Sequence, residues 1–127
     1  MNVKLTYINK DTLKPGDTVG VAYETRLGWK TFRYVKILPE VIKRITPART
    51  KFIMQNGTEH GKHIGFYAIT EETEHRTRVA KCAENINRAI FDLSRMDNLF
   101  KKNDETLIKV SSMLDEIMKI LQEAPNA

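Results

Sequence analysis

Only one cysteine, Cys82, occurs among the 127 residues, which excludes an intrachain disulfide framework and points to a reducing compartment. Apolar runs are short. None approaches the roughly 20 residues that a membrane-crossing helix needs, and the segment from Asn2 to Tyr7 alternates in polarity instead of forming the apolar stretch of a signal peptide. The expected location is therefore cytoplasmic, with no membrane partner. Gly-rich phosphate loops and Gly-x-Ser-x-Gly elbows are missing, and Asp115 and Glu116 are adjacent carboxylates, not facing ones. A protein that binds without catalysis and without a cofactor is the expectation.

Glycine and proline are unevenly withheld. After Gly65 the only one of either is Pro125, and eight of the ten aromatic residues precede Ala68. Turn-formers and aromatics mark short strands, and their absence over almost sixty residues permits long helices. The boundary falls near 68–70, giving residues 1–69 as one domain and 70–127 as a helical one.

Strand patterns in the first half cover Val3–Ile8, Val19–Tyr23, Trp29 to about Ile37, and a continuation Val41–Ile45 beyond the interruption at Pro39. Lys14-Pro15-Gly16-Asp17, Leu27-Gly28 and Thr46-Pro47-Ala48-Arg49 read as turns. Asn56-Gly57 between Lys51–Gln55 and Thr58–Ile64 is a hairpin signal. About five short strands in fewer than 70 residues fit a small, strongly bent β-barrel.

In the second half, Thr70 to Thr73 has the form of a capping box, with Thr73 where Glu is more usual. Val79, Ala83, Ile86, Ile90 and Leu93 then form one helical stripe. Cys82 lies near that stripe and reads as a small buried thiol. Asn103 or Asp104 caps a second helix whose stripe is Leu107, Val110, Leu114, Ile117 and Leu121, widened by Ile108, Met113, Met118 and Ile120. A short connection predicts an antiparallel helical hairpin. Its two apolar stripes exceed what one hairpin buries, so a homodimer through Leu114, Ile117 and Leu121 is expected.

Charge divides in the same place. Residues 1–69 carry +7 and residues 70–127 carry −2, from twelve cations against five anions and nine against eleven. The basic half holds Trp29, Lys30, Phe32, Arg33, Tyr34 and Lys36, which interleave aromatic and cationic side chains, followed by Lys43, Arg44, Arg49 and Lys51. Small barrels hold single-stranded nucleic acid in this way, stacking bases on rings while cations track phosphates. Apolar and basic residues occupy both alternation phases here, so Phe32, Val35 and Ile37 read equally as core, and the exposed ring stays open. A secondary basic face on the first helix comprises Arg78, Lys81, Asn85 and Arg88. Glu74 and Glu84, each four residues before an arginine, pair with it and neutralise that face. His60, His63, His75 and Cys82 lack a Cys-x-x-Cys partner. His60 and His63 fall on a strand and loop, where residues three apart point to opposite faces; a solvent-facing loop is the ordinary reading, and no metal site is expected.

Leu13-Lys14-Pro15-Gly16-Asp17-Thr18-Val19 resembles the opening strand of SH3-like and KOW-type barrels. The stretch from Val41 through Arg49-Thr50-Lys51 and Gln55-Asn56-Gly57 to Phe66-Tyr67 is similar to small β-barrel proteins encoded by bacteriophages. The resemblance spans residues 13–80 and implies an α+β fold, an SH3-like barrel followed by the helical hairpin. The leading expectation is recognition of nucleic acid, or another phosphate-rich ligand, through the basic barrel. The resemblance also implies an alternative, a phage counter-defence protein that binds a host immune complex or sequesters a nucleotide signal.

Overall fold

A computed structural model describes residues 5–127. The chain is α+β and divides into two compact units, Met1–Arg88 and Ala89–Ala127. Among the described residues no helix is long and apolar enough to cross a membrane.

The first unit is built on four antiparallel strands, β1 (Thr18–Tyr23), β2 (Lys36–Ile45), β3 (Lys51–Met54) and β4 (Glu59–Gly61), in the order β1-β2-β3-β4. The sheet curls into a half-barrel. Two features accompany the curl, one local and one long-range. The register of β2 against β3 shifts between Ile42 and Arg44, leaving Lys43 as the bulged residue, and a bulge increases bend and twist. Beyond β4 the chain returns to the other edge, where Tyr67 and Gly20 exchange both backbone hydrogen bonds at 2.7 and 2.8 Å. Tyr7 also bridges Tyr67, so the expected first strand is reduced to this bridge; its positions 3 and 4 lie outside the described residues. Four strands and these bridges stand where about five strands were expected.

The larger departure concerns residues 29–35, which form a loop and not a strand. β2 begins only at Lys36 and runs straight through Pro39. Proline is tolerated there because Gly20, its partner across β1, directs its hydrogen bonds to Tyr67 on the opposite edge. The Gly20–Pro39 pair is thus a non-hydrogen-bonded one, and the missing N–H removes no β1–β2 bond. Gly20 has a reason of its own. A Cβ there would lie 2.5 Å from Ile37 Cγ2 and 2.9 Å from the Tyr67 carbonyl oxygen.

Leu13, Val19, Val21, Ile42, Phe52, Met54 and Phe66 form the core inside the curl, each large side chain contributing about 1.5–3 kcal/mol by burial. Phe52 and Phe66 meet edge to face at 5.2 Å. The expected turns at Gly16 and Gly57 are present, with φ of 94° and 88°, values that glycine adopts without strain.

Helix α1 (Glu71–Ser94) starts on a reciprocal cap: the Thr73 N–H donates to Thr70 Oγ1, and the Thr70 N–H to Thr73 Oγ1. Its buried residues are Thr73, Thr77 and Ala80, not the stripe that begins at Val79. Thr77 explains the choice. Its hydroxyl accepts from the Ile37 N–H at 2.8 Å and donates to the Ile37 carbonyl, completing the unpaired edge of β2. Cys82, two residues past Ala80, is turned outward and exposed, contrary to expectation. In the second unit, Asn103 caps helix α2 (Asp104–Glu123) by accepting from the Thr106 N–H at 2.8 Å. No residue of α2 is buried.

Candidate functional site

Residues 24–35 form the most elaborated surface feature of the first unit. Gly28, with φ of 67°, turns the tip, and Leu27 and Lys30 bridge across it. The base of the loop is fastened twice. Thr25 Oγ1 donates to the Tyr34 carbonyl at 2.6 Å, and the Arg26 N–H donates to Glu84 of α1 at 2.7 Å. Lys36 reaches the same Glu84 carboxylate at 3.0 Å. The Arg26 N–H first, and then the Lys36 ammonium, hold that carboxyl below its ordinary range, burial opposing them. Glu84 therefore secures the loop and is not the partner of Arg88, which donates to Asn85 instead.

Above this base the rings and cations separate. Trp29 is 90% exposed, with the Lys30 ammonium 5.8 Å from its ring centre. Arg33 lies over Phe32 at 4.9 Å and over Tyr34 at 5.2 Å, and Arg76 covers Tyr34 at 5.1 Å. A cavity of about 590 Å³ opens among Thr25, Gly28, Trp29, Lys30, Phe32 and Tyr34. The question of the exposed ring is thus resolved by position: Trp29 projects, while Phe32 and Tyr34 are half-buried beneath cations.

The other basic candidates are dispersed. Lys43 and Arg44 are exposed near the far end of β2, about 23–26 Å along the strand from Lys36 at about 3.3 Å per residue. Lys51 approaches Glu59 at 3.9 Å. Arg49 is turned inward and donates through Nη2 to the Lys10 carbonyl at 2.8 Å and to the Leu13 carbonyl. It clamps the segment before β1. On α1, Arg78, Lys81 and Asn85 border a second cavity of about 460 Å³ with Ile37, Leu38 and Pro39. In the second unit, Leu114, Ile117 and Leu121 are 41%, 49% and 63% exposed.

A buried polar group escaped sequence reasoning. Glu40 and His60 are 7% and 8% exposed inside the curl, with His60 Nε2 3.0 Å from Glu40 Oε1. The Tyr23 hydroxyl donates to Glu40 Oε2. That bond pushes the Tyr23 phenol up to about 12, burial and the Glu40 charge adding to it. His60 is therefore not on a solvent-facing loop. Glu40 shares its alternation phase with the buried Ile42, the one available cue, but nothing in the sequence couples it to a histidine twenty residues away. Both carboxylate oxygens have partners, so the group has the character of a satisfied interior network. Among the described residues no three His, Cys, Asp or Glu side chains gather as metal ligands would.

No protein family, curated protein or solved structure matches the chain.

Proposed function

We propose that the protein binds without catalysis, and that the loop 24–35 is its ligand surface for single-stranded nucleic acid or another nucleotide-bearing, phosphate-rich molecule. The observation that carries this reading is Trp29, a large ring almost wholly in solvent on a fastened loop, with Lys30 beside it and Arg33 over Phe32 and Tyr34 of the same loop. Such a ring presents a stacking platform to any base, and the cations lie where phosphates of the same strand pass. The reading goes with an SH3-like barrel, supported by the return of Tyr67 to Gly20, and with a phage-encoded protein of the host cytosol, supported by the sequence resemblance.

Trp29 is the only tryptophan, so its fluorescence reports the site directly. Titration with short single-stranded oligonucleotides at about 50 mM salt is expected to quench it, and Trp29→Ala is expected to cost about 1–3 kcal/mol of binding. Absence of both quenching and binding at tens of micromolar protein would end the reading.

The cavity that Trp29 helps to line favours a second form of it, counter-defence by sequestering a nucleotide signal. Its volume of about 590 Å³ is within the range of small-ligand sites. Saturation by a mononucleotide or cyclic dinucleotide, with no gain from longer strands, would select that form.

A further inference from the structure

We propose that the Trp29 loop selects guanine, and that Glu24 makes the selection by accepting hydrogen bonds from the edge of the base. The inference rests on the loop being the ligand surface and deepens that reading.

Glu24 is the only acidic residue in 24–35, against the cations Arg26, Lys30 and Arg33. It lines the same cavity of about 590 Å³ as Trp29, and it is the one carboxylate on that wall. A wall that only attracted phosphate would not carry it, because like charges repel. Nor does Glu24 hold the loop together. Glu84 fastens the base of the loop, and Glu40 is engaged by Tyr23 and His60. Glu24 is exposed. Among the described residues it has neither hydrogen bond nor ion pair, although Arg26 lines the cavity with it.

An ionised carboxylate only accepts, through two oxygens side by side. It is matched best by two parallel N–H bonds. Guanine alone among the common bases presents two adjacent donors on its pairing edge, N1–H and the N2 amino group. Adenine and cytosine set one amino group beside an acceptor, and uracil sets one N–H between two carbonyls. The rest of the wall suits the same base. Lys30 and the Thr31 hydroxyl also line the cavity and can donate to the O6 and N7 acceptors of guanine. Trp29 supplies the stacking face, which every base has, so the choice among bases falls to Glu24.

Tryptophan-fluorescence titrations at about 50 mM salt test this with two ligand series. One is GMP, AMP, CMP and UMP; the other is short thymidine strands carrying a central guanine, adenine or hypoxanthine. Guanine is expected to bind about tenfold more tightly than the other bases, and the series that shows it identifies a free nucleotide or a strand as the source. Hypoxanthine, which lacks the N2 amino group, is expected to forfeit that factor. Glu24→Gln is expected to weaken guanine binding about tenfold and to leave adenine bound as tightly or more so, since a negative charge is removed. Glu24 is exposed, so circular dichroism should show the fold unchanged. Tightening of guanine and adenine alike in the variant would mark a solvated surface charge and overturn the proposal. A preference for ribose over deoxyribose that ignores the base would assign Glu24 to the sugar and overturn it too. Equal affinity for every base would sink the guanine assignment and leave the ligand surface standing, whereas no binding in either series would remove both.

Discussion

Glu40 divides its two oxygens between Tyr23 and His60 within the curl of the sheet, and the consequence is measurable at high pH. The Tyr23 phenol is raised from 10 to about 12, so the folded state holds its proton more tightly than the unfolded chain. Its contribution to stability is complete below pH ~10 and is lost as pH rises through about 12. Thermal melts between pH 8 and 12 should fall less steeply for Tyr23→Phe than for wild type, while at pH 7 the variant should be less stable by about 1–3 kcal/mol. Arg49 is the other residue whose surroundings redefine it. Its guanidinium holds the Lys10 and Leu13 carbonyls and its backbone has φ of 54°. Arg49→Gln is expected to cost about 1–3 kcal/mol in denaturant unfolding and to leave the salt dependence of ligand binding unchanged. Weaker binding at unaltered stability would return Arg49 to the ligand surface.

At the scale of elements, β2 bears the heaviest demands. One edge pairs with β1, the other is completed first by the Thr77 hydroxyl and then by β3, and the strand carries both a proline and a bulge. Close approach at Gly20 makes this arrangement sensitive to a single methyl group. Gly20→Ala sets a Cβ against Ile37, Ile69 and the Tyr67 carbonyl, all within 2.9 Å. A loss of about 1–3 kcal/mol is expected from such overpacking, with hydrogen exchange accelerating first at the Gly20 and Tyr67 amides. A neutral Gly20→Ala would contradict the close contact of Tyr67 with β1. Helix α1 shows a related economy of polar groups, since threonine hydroxyls at 73 and 77 form its cap and its bond to the sheet.

For the molecule as a whole, a net charge of +5 draws polyanions without selecting among them. The structure distributes that charge so that few cations adjoin the Trp29 loop. Lys36 is engaged by Glu84, Arg49 by backbone carbonyls, and Lys43 and Arg44 lie further along the strand. Binding of a single strand should therefore involve about two or three phosphates, and log affinity should fall against log salt with a slope of about −1.4 to −2.1. A slope twice as steep would bring Lys43 and Arg44 into the ligand path, and a flat one would remove phosphate contact altogether.

Local rules written in the sequence determined where strands give way to helices, the turns at Gly16 and Gly57, and both helix caps. Each depends on neighbours within a few residues, where φ preference and side-chain reach are decisive. The division into compact units, which falls inside α1, was not among them. The stretch from Trp29 to Val35 was not legible in this way. Its aromatic and β-branched residues suit a strand, but β1 stops at Tyr23, and a strand without a partner beside it does not form. The ligand candidates were legible as residue types and not as a group. Whether Arg49 meets solvent or the Leu13 carbonyl, and whether Glu84 meets Arg88 or Lys36, is settled by segments tens of residues away. The burial of Glu40 with His60 belongs to the same class. Only the curl of the sheet brings β2 and β4 close enough for one to satisfy the other, and a buried carboxylate is tolerated only where such partners meet it.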